Sequence, residues 1–129
     1  MQNSSSILLI LFTDDFYKCY YGLNLACTYS SCNKNVTVFF SGYACNFLKV
    51  NWESYDKLKI NKKIAKKKMT SFLEVFKLCR ELKVKFFFCS TAVEFLNIES
   101  KDLNKDFILE PAPLYYIVNR HKNSQTIFI

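Results

Sequence analysis

Six cysteines and one histidine hold most of the chemical options of this chain. The thiols are Cys19, Cys27, Cys32, Cys45, Cys79 and Cys89, and His121 is the sole imidazole. An even number of cysteines suggests a disulfide framework, but the spacings argue otherwise. There is no CxxC and no cysteine beside His121, so the ligand spacing of a zinc site is absent. No secretory leader is visible either. The apolar run Ile7 to Phe12 has no basic residue before it, is stopped by Thr13-Asp14-Asp15, and is too short to cross a bilayer. The expectation is a cytoplasmic protein with reduced thiols, most of them packed as small hydrophobes, with no metal and no membrane association. A lone histidine near a helix end does not make a Ser/His/Asp hydrolase, and no glycine-rich phosphate loop is present.

Cys89 stands apart from the other thiols. It closes the run Val84-Lys85-Phe86-Phe87-Phe88 and directly precedes Ser90-Thr91, where Thr91-x-x-Glu94 has the pattern of a capping box. A thiol at the start of a helix meets free N–H groups and the positive end of the dipole, which favour the nucleophilic thiolate. The alternative is that Cys89 is the last core residue of a Phe-rich strand. Cys45, following Ser41-Gly42 in another loop, is a second candidate thiol and a possible resolving partner, which would need its Cα within about 7 Å of that of Cys89.

These residues need a scaffold, and the chain supplies one by alternation. Ile7 to Phe12 is apolar without a period of two, as in a strand buried on both faces. Phe16, Cys19, Tyr20, Leu23, Ala26 and Cys27 then recur at helical spacing, predicting a helix from about Asp15 to Ser31 with Cys19 and Cys27 in the core. Val36 to Phe40 reads as a second strand, and Tyr43 to Leu48 as a short helix. Ser71-x-x-Glu74 opens a helix whose face, Phe72, Val75, Phe76, Cys79 and Leu82, makes Cys79 structural. After the Val84–Cys89 strand come a helix to about Leu96, an Asn97 stop, and a short strand at Phe107–Leu109. A helix started by Pro113 and a last strand at Gln125–Ile129 complete the set. Residues 1–129 therefore read as one α/β domain, a doubly wound and mostly parallel sheet of about five strands. Sites in such sheets form beyond the carboxyl ends of the strands. The rim here is Thr13 and Asp14, then Ser41 and Gly42, then Ser90 and Thr91.

The formal charge of +7 is unevenly spread. From Glu53 to Lys68, seven lysines (57, 59, 62, 63, 66, 67 and 68) face two carboxylates, leaving little excess elsewhere. Ile60 and Ile64 allow a helical turn in this stretch, and a loop is equally compatible. Lysine dominates over arginine, the usual bidentate phosphate reader, so a solvated face is favoured over a tRNA or other nucleic-acid site. Trp52 and the nearby tyrosines could stack on bases, but they more often anchor loops to a core. Tyr17, Tyr20 and Tyr21 favour packing over a cleft.

The chain resembles the DsrE/DsrF-like proteins, which include the TusD-type sulfur-relay subunits, from Ile7 to Ile129. Val36-Thr37-Val38-Phe39-Phe40-Ser41-Gly42 is similar to the family's second strand and turn. Leu82 to Ala92 is similar to its strand ending in cysteine, Asn97 to Leu103 to the stretch after the next helix, and Leu114 to Ile129 to the closing helix and edge strand. The resemblance implies a flavodoxin-like fold, assembly into homo-trimers or homo-hexamers, and no metal or organic cofactor. It places Cys89 where active members carry a persulfide, taken from a donor protein and passed to a partner thiol. The chain departs from the family in Thr13-Asp14-Asp15-Phe16, which lacks glycine, in Asn97, and in Glu110-Pro111-Ala112-Pro113. The competing function class is a binding or assembly module without chemistry, using the Lys57–Lys68 segment on RNA or an acidic partner.

Overall fold

A computed structural model describes residues 5–107 and 109–129. Five strands form a single sheet: β1 (Ser6–Leu11), β2 (Asn35–Phe40), β3 (Lys85–Cys89), β4 (Glu110–Ala112) and β5 (Gln125–Phe128). Every ladder is parallel, and the order is β4-β3-β2-β1-β5. Apart from Ser6, Asn35 and Thr37, β1 and β2 are apolar because both of their faces are covered.

The helices are α1 (Phe16–Ser31), α2 (Ile60–Lys66), α3 (Phe72–Glu81), α4 (Ser90–Phe95) and α5 (Leu114–Arg120). From β1 to β4 the strands advance in one direction, so right-handed crossovers put α1 and α3 on one face of the sheet. The return from β4 to β5 crosses the sheet and carries α5 to the other face. Aromatic contacts agree with this layering. Phe76 of α3 stacks on Phe40 and Phe86, whereas the intervening Phe87 meets Tyr116 of α5. The doubly wound α/β class holds, with the winding reversed between β1 and β5.

The main core lies under α1 and α3, where Phe16, Trp52, Phe72, Phe76 and Phe107 form a continuous ring contact. Trp52 thus anchors its loop to the core. Tyr20 is buried and its hydroxyl donates to the Thr70 carbonyl; Tyr17, though exposed, stacks on Tyr20 and borders a cleft, and Tyr21 is exposed.

Two elements differ from the sequence reading. The strand expected at Phe107–Leu109 is not formed: Phe107 ends a 3₁₀ turn and plugs the core against Phe76, Leu109 lies outside any strand, and Ile108 falls outside the described residues. The fourth strand is instead Glu110-Pro111-Ala112, where Pro111 is tolerated because β4 is an edge strand. The capping box expected at Thr91 is also absent. The chain passes from β3 directly into α4, so Cys89 itself is the N-cap, with no side-chain cap bond, and Thr91 is already the second helical residue. The lysine stretch, open between turn and loop, contains α2. The Ser71–Glu74 capping box and the left-handed Asn97 (φ 56°) are formed as expected.

Candidate functional site at the carboxyl ends of the strands

All six rim residues lie beyond the carboxyl ends of β1, β2 and β3. After β1, the Thr13 hydroxyl accepts from the Asp15 N–H at 3.0 Å, and the Asp15 carboxylate accepts from Lys18 N–H at 2.9 Å, capping α1. Asp14, between them, is exposed. After β2, Ser41 donates its N–H to Leu11 O at 2.8 Å, carrying the sheet one residue further. Gly42 follows with φ +52°, and a Cβ there would sit 2.5 Å from the Phe12 ring. The positive φ favours glycine at this turn, and a larger residue would also push the Phe12 ring aside.

Gly42 opens a 3₁₀ turn, Gly42–Leu48, that folds Cys45 inward. The Cys45 thiol donates to Phe40 O at 3.4 Å. Burial pushes this thiol up to about 12; the Cys89 backbone N–H acts the other way, and the Cys89 thiol adds to the rise. Cys19, on the first turn of α1, is pushed up by its own burial, then by Cys45 and Asp15. Three thiols from three elements thus converge: Cys19 from α1, Cys45 from the 3₁₀ turn and Cys89 from β3. Cys89 is the last of them before solvent, 6% exposed, with half-buried Ser90 and exposed Thr91 beside it. Its strand partner is Ala112 of β4. Cys45 lies beside the backbone of Cys89, and Cys19 adds a third thiol that the helix periodicity placed only in the core.

The basic segment lies elsewhere on the rim. Lys57 shares a cleft of about 530 Å³ with Asp14, Asp15, Tyr17, Tyr55 and Asp56, and no cysteine lines it. Lys62, Lys63, Lys66, Lys67 and Lys68 are exposed on and just after α2, unpaired with any carboxylate among the described residues. His121 caps the far end of α5, its Nδ1–H donating to Ile117 O at 2.7 Å. It lines a groove at the amino ends of the strands with Ser6, Asn35 and Lys85, a full sheet length from Cys89. Among the described residues no cluster of three or more His, Cys, Asp or Glu side chains is arranged to hold a metal ion. No helix among them is long and apolar enough to cross a membrane.

One pairing was not legible in the sequence. Cys27 of α1 and Cys79 of α3, both read as packing residues, bring their sulfurs to 3.0 Å. Helical periodicity told which face each occupies but not which helices touch.

The DsrE/DsrF-like family model matches residues 7–122, nearly the whole described chain and every rim position. The chain belongs to the DsrE/DsrF-like family. Solved structures share this fold at low identity. The YchN protein of E. coli superposes with a TM-score of 0.64 at 12% identity, over 98% of this chain and all of its own. A protein of unknown function from Methanobacterium thermoautotrophicum gives 0.65 at 14% identity, over 98% and 100%. A conserved protein of unknown function from Bacteroides thetaiotaomicron gives 0.64 at 9%, over 95% and 94%. No functionally curated protein matches the chain in sequence.

Proposed function

We propose that this DsrE/DsrF-like protein is a sulfur carrier acting through Cys89. The observation that carries the reading is the position of Cys89 at the end of β3, on the rim, with Cys45 behind it. In the first step the Cys89 thiolate attacks the outer sulfur of a donor persulfide. The donor S–S bond breaks, the donor thiolate leaves, and Cys89–S–SH forms with no net oxidation. An acceptor thiolate then attacks that outer sulfur and Cys89 departs as thiolate. Cys45 holds its proton at neutral pH, so it is a poor internal nucleophile. That favours a persulfide that waits for an external acceptor over a Cys45–Cys89 disulfide. The reaction uses no metal or organic cofactor.

We further propose that the protein assembles as a homo-trimer or homo-hexamer. Support comes from the α5 and β5 face, where Leu114, Tyr115, Val118 and Phe128 are exposed and Phe12 stacks on Phe128 at 5.7 Å.

The test loads the intact protein with inorganic polysulfide and maps the added sulfur by mass spectrometry. The expected result is one added sulfur atom on the Cys89 peptide, lost to a small acceptor thiol and absent in a folded Cys89→Ser variant. Sulfur found only on the exposed Cys32, unchanged in Cys89→Ser, would remove the carrier reading. The exposed Lys57–Lys68 segment, as a docking surface for an acidic partner, would then be the better account.

A further inference from the structure

α1 and α3 lie side by side and are tied at both ends of their contact. The Tyr20 hydroxyl donates to Thr70 O at the start of α3, and the Ser30 hydroxyl donates to Leu82 O at 2.8 Å just past its end. Between these ties the two helices hold the thiols of Cys27 and Cys79 with their sulfurs 3.0 Å apart. A disulfide needs about 2.05 Å, so roughly 1 Å of closure joins them. The two sites differ in access. Cys79 is fully buried, and its thiol also lies 3.4 Å from Leu23 O, whereas Cys27 is half-buried and reaches solvent.

We propose that Cys27 and Cys79 are a redox-active dithiol that closes to a disulfide bridging α1 and α3, a thiol centre separate from Cys89. The asymmetry of the pair assigns the roles. The thiol–thiol contact with Cys79 holds Cys27 below the ordinary thiol range although burial opposes it, and the same contact, with burial, pushes Cys79 up. Cys27, the one of the two that reaches solvent and therefore oxidant, is the attacking thiolate, and the enclosed Cys79 is the resolving thiol. With a peroxide as oxidant, Cys27 sulfur attacks one oxygen, the O–O bond breaks, and Cys27 becomes a sulfenic acid as the departing oxygen takes up a proton. Cys79 sulfur then attacks Cys27 sulfur, the S–O bond breaks, and the Cys79 proton leaves with that oxygen as water. Two thiols are oxidised and one hydrogen peroxide is reduced to two waters. The bridge joins residues 52 apart in sequence, enclosing β2, Cys45 and the lysine segment. Closing so long a loop restricts the unfolded chain.

The experiment titrates the intact, folded protein with hydrogen peroxide, alkylates the remaining thiols, digests without reduction and maps the peptides. The expected result is a linked Cys27–Cys79 peptide at sub-stoichiometric peroxide, with free thiols falling from the six of the reduced protein to four. The melting temperature should rise by several degrees on closure and return on reduction. Cys27→Ser should abolish the linked peptide, and Cys89→Ser should keep it, so failure of the sulfur-carrier reading leaves this result standing. The exposed Cys32 is the internal reference for oxidant access. Oxidation of Cys32, with Cys27 singly modified or untouched and no linked peptide, would overturn the proposal. The wild-type map decides the matter even if a Cys79→Ala variant fails to fold.

Discussion

Cys45 is enclosed by the 3₁₀ turn that carries it, and its thiol keeps its proton well beyond the ordinary value of 9.0, up to about 12. The folded state therefore binds a proton that the unfolded chain releases above 9.0. Stability from this group is complete below 9.0 and is lost as pH rises toward about 12. The slope from one such thiol is at most about 1.4 kcal/mol per pH unit. Denaturant unfolding across that window should show the stability advantage of wild type over Cys45→Ala shrinking with pH. A constant gap would mean that Cys45 ionises freely in the fold. The end of β3 at Cys89 and the turn after β2 that carries Cys45 could be read from apolar runs. The sequence could not show Cys19 behind them, since a helix periodicity marks an inward face without saying what that face meets.

Local chemistry decides the elements that sequence left open. α2 forms in the lysine stretch because Asp56, 4% exposed, accepts from the N–H groups of both Ile60 and Asn61 at 2.9 and 2.8 Å. The Asn61 side chain in turn accepts from Phe72 N–H at 3.0 Å, fastening α2 to the start of α3. Asp56→Ala should cost roughly 2 kcal/mol through these two charge-assisted bonds, read as a lower denaturation midpoint. Loss of helical signal confined to the α2 amides is the accompanying expectation, and an unchanged midpoint would show that packing of Ile64 alone holds the turn. At β4 the sequence misled in the other direction. Phe107 and Leu109 look like a strand, but Phe107 serves better as a stacked plug on Phe76, 4.3 Å between centroids. Pro111, ordinarily a mark against a strand, is accommodated where one edge needs no N–H donor.

At the scale of the molecule, the order β4-β3-β2-β1-β5 leaves the second face of the sheet with α5 as its main helix. That layer is thin: Tyr115 is 78% and Phe128 66% exposed. If assembly covers this face, sedimentation should give a mass several times the 15.2 kDa of one chain, and Phe128→Asp should reduce it toward that value. A wild-type protein sedimenting as a single chain would exclude the oligomer. The sequence by itself determined the α/β alternation, the buried strands β1 to β3, the helix caps at Asp15 and Ser71, and the rim on which Cys89 sits. These follow from periodicity and capping, which act over a few residues. Only the tertiary structure decided that Cys89 is itself the N-cap, that Cys19 and Cys45 converge behind it, and that Cys27 meets Cys79. Those contacts join residues dozens of positions apart, and their geometry is set by how helices pack on the sheet.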